Sequence, residues 1–444
     1  MSSPRLFGTD GVRGRFGTAP MDASTLQRLG AALAQRLSTQ TNGGRVILGG
    51  DTRDSTPQIC RWLAAELRAG GLTPVFLGVV PTPAVAATVA STDALCGIAV
   101  SASHNPHPDN GVKLIDADGF KWRPEDEAAL EALMDDVAPA GGEAILEVDG
   151  ELVASYLDSL RQSLDGESLD GLRIGLDAGH GAASPYARQL FESLGADVTL
   201  LGDDPDGQNI NQGFGSTAPG ALADVVREEG LDLGIAFDGD ADRAILVDER
   251  GEVRDGDAIL YLWAKELHAH RLLQGNAIVA TSMSNLGLEV ALRQDGIDIA
   301  RCDVGDREVV RTLQERGFHL GGEQSGHIVH LGLATTGDGL LTALQVALRV
   351  RRAGTPLSQQ LAGFERFPQL LRNLKVSRKP PLDTLPRVQE VAHAVSEELG
   401  ERGRLVLRYS GTEALVRMMI EGPERAYIES LADRLAEVLE EELR

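Results

Sequence analysis

Three stretches of the chain repeat one arrangement of apolar and polar positions. RVILGGDTRDSTPQICRWLAAELRAGGLTPVFLG from Arg45, RIGLDAGHGAASPYARQLFESLGADVTLLG from Arg173 and NAIVATSMSNLGLEVALRQDGIDIARCDVG from Asn276 each open on a short apolar run. A turn follows, then apolar residues at helical spacing, a glycine, and a second apolar run. Helical periodicity between two such runs predicts a βαβ unit in a largely parallel sheet. Three units predict three tandem α/β domains, over residues 1–150, 151–252 and 253–365, with one large doubly wound sheet as the alternative. Sheets of this kind bind ligands at the carboxyl ends of their strands.

The pattern stops after Phe364. RNLKVSRKPPLDTL is broken by Pro380-Pro381. A helical stretch from Arg387 to Leu399, strand-like RLVLRY and LVRMMIEG, and a charged helix from Pro423 then predict a small α+β module of two strands and two helices. It spans 366–444, behind a polar hinge near residue 366. The expected fold class is α/β: three tandem domains with mixed, largely parallel sheets plus a C-terminal α+β domain.

Composition narrows the partners. The 444 residues are 42% hydrophobic and 24% charged, the balance of a globular protein, and the net charge of −24 excludes nucleic acid or an anionic membrane as a general partner. A phosphate-bearing ligand therefore needs a local cluster of basic residues. Cys60, Cys96 and Cys302 form no CxxC pair, the N-terminus carries no basic-then-apolar signal, and no apolar run reaches 18 residues. A cytoplasmic location is expected.

Four loops carry chemistry. In SASHNP, Ser103 precedes His-Asn-Pro, where proline restricts the backbone and is expected to hold the hydroxyl outward. No GxSxG elbow frames it and the adjacent His104 is not expected to face it, so acyl hydrolysis is disfavoured. Lys113, on the following strand, is placed to return as a proton donor or phosphate contact. In FDGDADR, Asp238, Asp240 and Asp242 alternate; at strand-like period they project to one side, with no nearby lysine run to neutralise them. Mg²⁺ would resolve that conflict. An EF-hand fails, because Arg243 stands where its glycine belongs.

In GGEQSGH, Glu323, Ser325 and His327 offer an acceptor, a donor and a proton-exchanging group suited to sugar hydroxyls. In RYSGTE, Arg408, Ser410, Gly411, Thr412 and the later Arg417 combine guanidinium forks, hydroxyls and a glycine into a phosphate cradle. Read singly, each loop also has a plain reading as a solvated turn. Together they fit phosphoryl transfer to a phosphorylated small molecule, with a serine carrier, a divalent metal and four domains around a central cleft.

These motifs, with LFGTDGVRG at 6–14, DNGVK, NINQGFGST at 209–217, VGDR at 304–307 and TTGDG at 335–339, resemble the α-D-phosphohexomutase family over nearly the whole chain. The opening LFGTDGVRG and the SGTE ending favour its glucosamine branch over its phosphomannomutase/phosphoglucomutase branch. The resemblance implies that Ser103 is phosphorylated and that one Mg²⁺ sits on Asp238, Asp240, Asp242 and a phosphoserine oxygen. Arg13, Lys113 and Arg243 would surround the transferring group, with Lys113 and His327 as acid/base candidates. Glu323, Ser325, Gly305 and Asp306 would contact the sugar, and Arg408, Ser410, Gly411, Thr412 and Arg417 the phosphate that is not transferred. It further implies a hexosamine phosphate substrate, glucosamine or glucose 1,6-bisphosphate as activator, and a homodimer. The first phosphorylation of Ser103 would come from a kinase, a bisphosphate or the enzyme itself. His107-Pro108 departs from the aromatic expected at that point of the loop. A non-catalytic sugar-phosphate sensor is the alternative outside enzymes.

Overall fold

The computed structural model describes residues 6–8, 10–39, 43–410 and 414–443. Its first sheet contains β1 (Val12–Arg15), β2 (Arg45–Gly50), β3 (Thr73–Val79), β4 (Cys96–Val100) and β5 (Asp109–Asp116), in the order β1-β5-β4-β2-β3. The second contains β6 (Arg173–Asp177), β7 (Asp197–Leu201), β8 (Leu233–Phe237), β9 (Ala244–Asp248) and β10 (Val253–Arg254), ordered β10-β9-β8-β6-β7. The third contains β11 (Ala277–Thr281), β12 (Asp298–Cys302), β13 (Leu320–Gly322) and β14 (Ile328–His330), ordered β12-β11-β13-β14.

One plan underlies all three sheets. A first strand is followed by a helix and an edge strand; the chain then crosses to the other side of the first strand and lays a parallel neighbour. It finally turns back antiparallel, from β4 to β5, β8 to β9 and β13 to β14. Every residue of β4 and β8 is buried. Sheets covered on both faces leave no polar side to alternate with, which is why these strands read as unbroken apolar runs. The sequence pattern missed β1, which begins inside LFGTDGVRG and ends one residue beyond it. It pairs antiparallel with β5, setting Arg13 opposite Gly111 and Val12 opposite Val112.

The chain divides into two compact units, Met1–Ser282 with Ala300–Leu361, and Met283–Ile299 with Ala362–Arg444. In the second unit, β15 (Gln369–Lys375), β16 (Arg404–Tyr409) and β17 (Leu415–Glu421) form an antiparallel sheet ordered β15-β17-β16. The helices Pro386–Leu399 and Arg425–Leu443 share a core with it through Val388, Val395, Met418, Ile420, Leu431 and Leu435. Two strands were expected here, and β15 is the third. The segment around helix Leu286–Gln294 also belongs to this unit. The Asn285 amide ties it there, donating to Phe367 O (3.0 Å) and Glu421 Oε1 (3.1 Å) and accepting from Phe367 N–H (2.9 Å). Among the described residues, no helix is long and apolar enough to cross a membrane.

A buried acid in the first unit makes stability depend on pH. Asp338 caps helix Gly339–Ala353, its Oδ1 accepting from Leu341 N–H (3.0 Å) and its Oδ2 from Tyr156 O–H (2.9 Å). Burial pushes its pKa up to about 6, against the pull of these bonds. An acid whose pKa rises on folding holds its proton more tightly when folded. Its stabilising contribution is therefore present at low pH and is lost as pH climbs through about 6. Asp338→Asn keeps the cap and removes the titration. Between pH 5 and 7.5 the wild type should lose about 1–2 kcal/mol relative to this variant, read from urea midpoints. A pH-independent gap would refute the assignment.

Candidate active site

All three hairpin connections of the repeated plan carry candidate residues singled out in the sequence, and the first unit brings them together. After β4 the backbone turns at Ser103, whose φ of 52° is uncommon for a residue with a Cβ. Ser103 is fully buried, and its Oγ donates to Asp238 Oδ2 at 2.5 Å. This corrects the expectation of an outward hydroxyl. His104 Nδ1 also lies 3.3 Å from the same oxygen, against the expectation that it would not face it. Neighbouring side chains diverge on extended backbone; the left-handed turn at 103 breaks that alternation.

The aspartates sit on a tight turn instead of a strand. Ala241 N–H donates to Asp238 O (3.0 Å) and Ala241 has φ 51°, so the chain curls and gathers the carboxylates. Asp238, Asp240 and Asp242 are buried, with ligand oxygens all within 4.8 Å of one another. A lysine does approach them, from β5: Lys113 Nζ lies 2.7 Å from Asp240 and 3.4 Å from Asp242. Local sequence could not show it, because 127 residues separate Lys113 from Asp240. Arg243 stands farther off, 3.6 Å from Asp242 and 3.9 Å from Asp238.

Two cations do not balance three buried anions. Burial, then the charges of Asp242 and Asp240, drive the Asp238 pKa well above the usual carboxylate range. Burial also acts to raise Asp242, but Lys113, then His327 and Arg243, hold it well below that range. Asp10, then Asp240 and Asp242, keep Lys113 firmly charged despite its burial. Asp240 Oδ1 is buried without a hydrogen-bond partner. An all-oxygen donor set with an orphaned acceptor and excess negative charge fits a hard divalent cation.

The third hairpin closes on the same turn. Gly326 O accepts from Ala244 N–H (3.1 Å), and His327 Nδ1 lies 3.5 Å from Asp242 Oδ1. His327 Nε2 accepts from Gly337 N–H at 3.1 Å, in the TTGDG loop. Burial lowers its basicity, and Asp242 more than restores it. Protonating Nε2 would nevertheless aim a hydrogen at the Gly337 N–H. The hydrogen bond thus favours the neutral ring with its proton on Nδ1, facing Asp242. Glu323 Oε1 accepts from Gly305 N–H (3.1 Å), and Ser325 Oγ is 3.4 Å from Glu323 Oε2. Gly305 precedes helix Asp306–Arg316, and the Asp306 carboxylate accepts from Lys121.

Other groups of this site escaped the sequence reading. Asp10 pairs with Arg13, accepts from Lys121 Nζ (2.7 Å) and lies 3.6 Å from Lys113 Nζ. Arg53 and Asn211 hold the backbone of the Ser103 loop. Their motifs, GTDGVRG, DTRDS and NINQG, stand in the sequence, but nothing local says that a distant loop meets them.

In the second unit, Arg408 and Arg417 face each other across β16 and β17, and Ser410 N–H donates to Leu415 O (2.9 Å). Gly411 and Thr412 lie outside the described residues.

Comparison with known proteins agrees over the full length. Residues 4–140, 154–251 and 255–367 match phosphoglucomutase/phosphomannomutase alpha/beta/alpha domains I, II and III, and residues 371–438 match the C-terminal domain of that family. A phosphoglucosamine mutase of Symbiobacterium thermophilum is 44% identical, the alignment covering 99% of this chain and 100% of the relative. A crystal structure of a phosphoglucomutase/phosphomannomutase family protein from Burkholderia thailandensis superposes with a TM-score of 0.82 at 25% identity, covering 99% of this chain and 98% of that one. An N-acetylphosphoglucosamine mutase of Aspergillus fumigatus, solved with GlcNAc-6P and magnesium, shares the fold with a TM-score of 0.64 at 17% identity, covering 98% and 95%. The chain belongs to the phosphoglucosamine mutase branch of the phosphoglucomutase/phosphomannomutase family, whose members are isomerases.

Proposed function

We propose that this enzyme interconverts glucosamine 6-phosphate and glucosamine 1-phosphate through a phosphorylated Ser103. The observation that carries the reading is the Ser103 hydroxyl seated on a buried carboxylate triad, 2.5 Å from Asp238. In the forward half-reaction the bond between Ser103 Oγ and phosphorus breaks as phosphorus bonds to O1 of the sugar. The O1 proton leaves to a nearby base and Oγ regains a proton. Glucosamine 1,6-bisphosphate then turns around, and its 6-phosphate returns to Oγ by the reverse bond changes.

Asp238, Asp240 and Asp242, with an oxygen of phosphorylated Ser103, would hold one Mg²⁺, which when bound offsets charge on the transferring group. Lys113, an acid/base candidate, is better suited to place a fixed positive charge on that group, because its neighbours keep it an ammonium that gives up its proton reluctantly. His327 is the second acid/base candidate, and it also orients Asp242. Glu323, Ser325, Gly305 and Asp306 are assigned to the sugar. Arg408 and Arg417 sit directly opposite on adjacent strands, which sets two guanidinium forks side by side at the end of the sheet that leads into Ser410. That supports assigning Arg408, Ser410 and Arg417 to the phosphate that stays on the sugar. A cytoplasmic site of action suits the precursor chemistry of amino sugars and the three unpaired cysteines.

The test compares kcat/KM for glucosamine 6-phosphate with those for glucose and mannose 6-phosphates, given trace glucose 1,6-bisphosphate and Mg²⁺. A preference for glucosamine of about 10²-fold or more is expected, below the roughly 10⁴-fold at which a site rejects a substrate lacking a paired polar group, because glucose and mannose still present a hydroxyl at C2. A preference for mannose would sink the branch assignment. No turnover on any sugar, with no phosphate on the protein by intact mass, would leave a sensor instead of an enzyme.

A further inference from the structure

Three backbone carbonyls of the Ser103 loop, those of Ser103, Asn105 and Pro106, converge on one buried guanidinium. Arg53 Nη2 donates to Ser103 O (3.0 Å) and Asn105 O (2.8 Å), and Nη1 to Pro106 O (2.7 Å). Its Nε donates to Asp51 Oδ2 at 2.9 Å, with both side chains fully buried. Asp51 is itself braced by Ser101 Oγ (2.5 Å) and Thr56 Oγ1 (2.9 Å), and Ser101 Oγ accepts from Ser103 N–H at 2.8 Å. From the second repeat, Asn211 Nδ2 adds donors to Ser103 O (3.0 Å) and Asn105 O (3.3 Å). The Ser103 carbonyl also rests against Gly239, between the first two aspartates: a Cβ there would stand 2.5 Å from that oxygen.

We infer that Arg53, with Asn211, is a positioning residue that locks Ser103 in its left-handed conformation and so fixes where its phosphoryl group stands relative to the triad. The physical reasoning has three steps. A serine at φ 52° is disfavoured and persists only where its surroundings over-determine it. Hydrogen bonds to both flanks of the residue supply that determination: Ser101 holds its N–H, and Arg53 and Asn211 hold its carbonyl. The charge of Arg53 is matched by Asp51, so it acts through the loop backbone and not by attracting phosphate.

The inference rests on the proposed phosphoryl transfer, and the test separates the two. Enzyme charged with phosphate from glucose 1,6-bisphosphate is mixed with glucosamine 6-phosphate in a single-turnover quench. The rate constant reports geometry in folded molecules, whereas the amplitude reports how many are folded. Arg53→Met should lower the rate constant about 10²-fold, the scale of a misplacement near 1 Å. Arg53→Lys, which keeps charge but reaches fewer carbonyls, should fall between that variant and the wild type. Asn211→Gly, which loses only the amide at a residue already at φ 60°, should lower the rate constant about tenfold. Wild-type rate constants in Arg53→Lys and Asn211→Gly, with only amplitude or melting temperature reduced, would overturn the inference even if Arg53→Met does not fold. A wild type that transfers no phosphate overturns the function beneath it.

Discussion

Ser103→Ala is expected to carry no phosphate by intact mass and to lose turnover by about 10⁴-fold or more, since no other group can take over a missing covalent carrier. Two other hydroxyls lie close by and both are committed: Thr82 Oγ1 donates to Asp240 Oδ2 at 2.6 Å, and the other is that of Ser101. Its Oγ donates to Asp51 and accepts from Ser103 N–H, so it is tied to the structure that shapes the loop and not to the triad. The fold should survive. The variant loses one buried hydrogen bond to Asp238, a change of about 1–3 kcal/mol when the acceptor is left unsatisfied. Circular dichroism and melting would establish that the protein is intact. Turnover within tenfold of the wild type would rule out a phosphorylated Ser103 as an obligatory intermediate.

The fold was legible because its central strands are buried on both faces. CGIAV and LGIAF have no polar alternation to confuse, and the helices between them keep a 3.6 period. Strands with only one covered face or few residues were harder to read. β15 mixes polar and apolar residues in QLLRNLK, with exposed positions alternating along its second half. β1 is four residues long and gains its partner from β5, almost a hundred positions later. The Asn285 amide that binds its segment to the C-terminal unit is invisible before folding, because the unit it joins is not adjacent in sequence.

The site divides in the same way. Loops with several chemical groups in a row announced themselves, and the repeated topology explains why there are three in the first unit: each is the same hairpin of the same sheet plan. What could not be read is the traffic between loops. Asp238 and Asp242 differ in charge preference because Lys113 and His327 approach one and not the other. Asp10 and Lys121 link Arg13 and Lys113 on one side to Asp306 on the other through ion pairs spanning three segments. Arg53 looks like an ordinary turn residue until its loop partners are known.

The triad makes an expected result with two signs. Asp240→Asn should lower kcat about 10³-fold, the order seen when a group that stabilises transition-state charge is removed. Without added metal, the same change should leave melting unchanged or raise it. Three buried carboxylates repel, and the amide oxygen still offers an acceptor to Thr82 Oγ1 or Lys113 Nζ, now 2.6 and 2.7 Å from Asp240 Oδ2. Adding Mg²⁺ should then separate the two proteins. A ligand that binds only the folded state stabilises by about 2.7 kcal/mol at a hundred times its Kd, so the wild type should gain and the variant should not. This measurement needs no substrate, so it tests the cation seat apart from the reaction. If Asp240→Asn melts lower without metal, Asp240 is held by its bonds to Thr82 and Lys113 more than it is strained by its neighbours. If it keeps both the Mg²⁺-dependent gain and its turnover, the carboxylates do not form the seat, and the excess negative charge gathered by the turn at Ala241 requires another counter-ion.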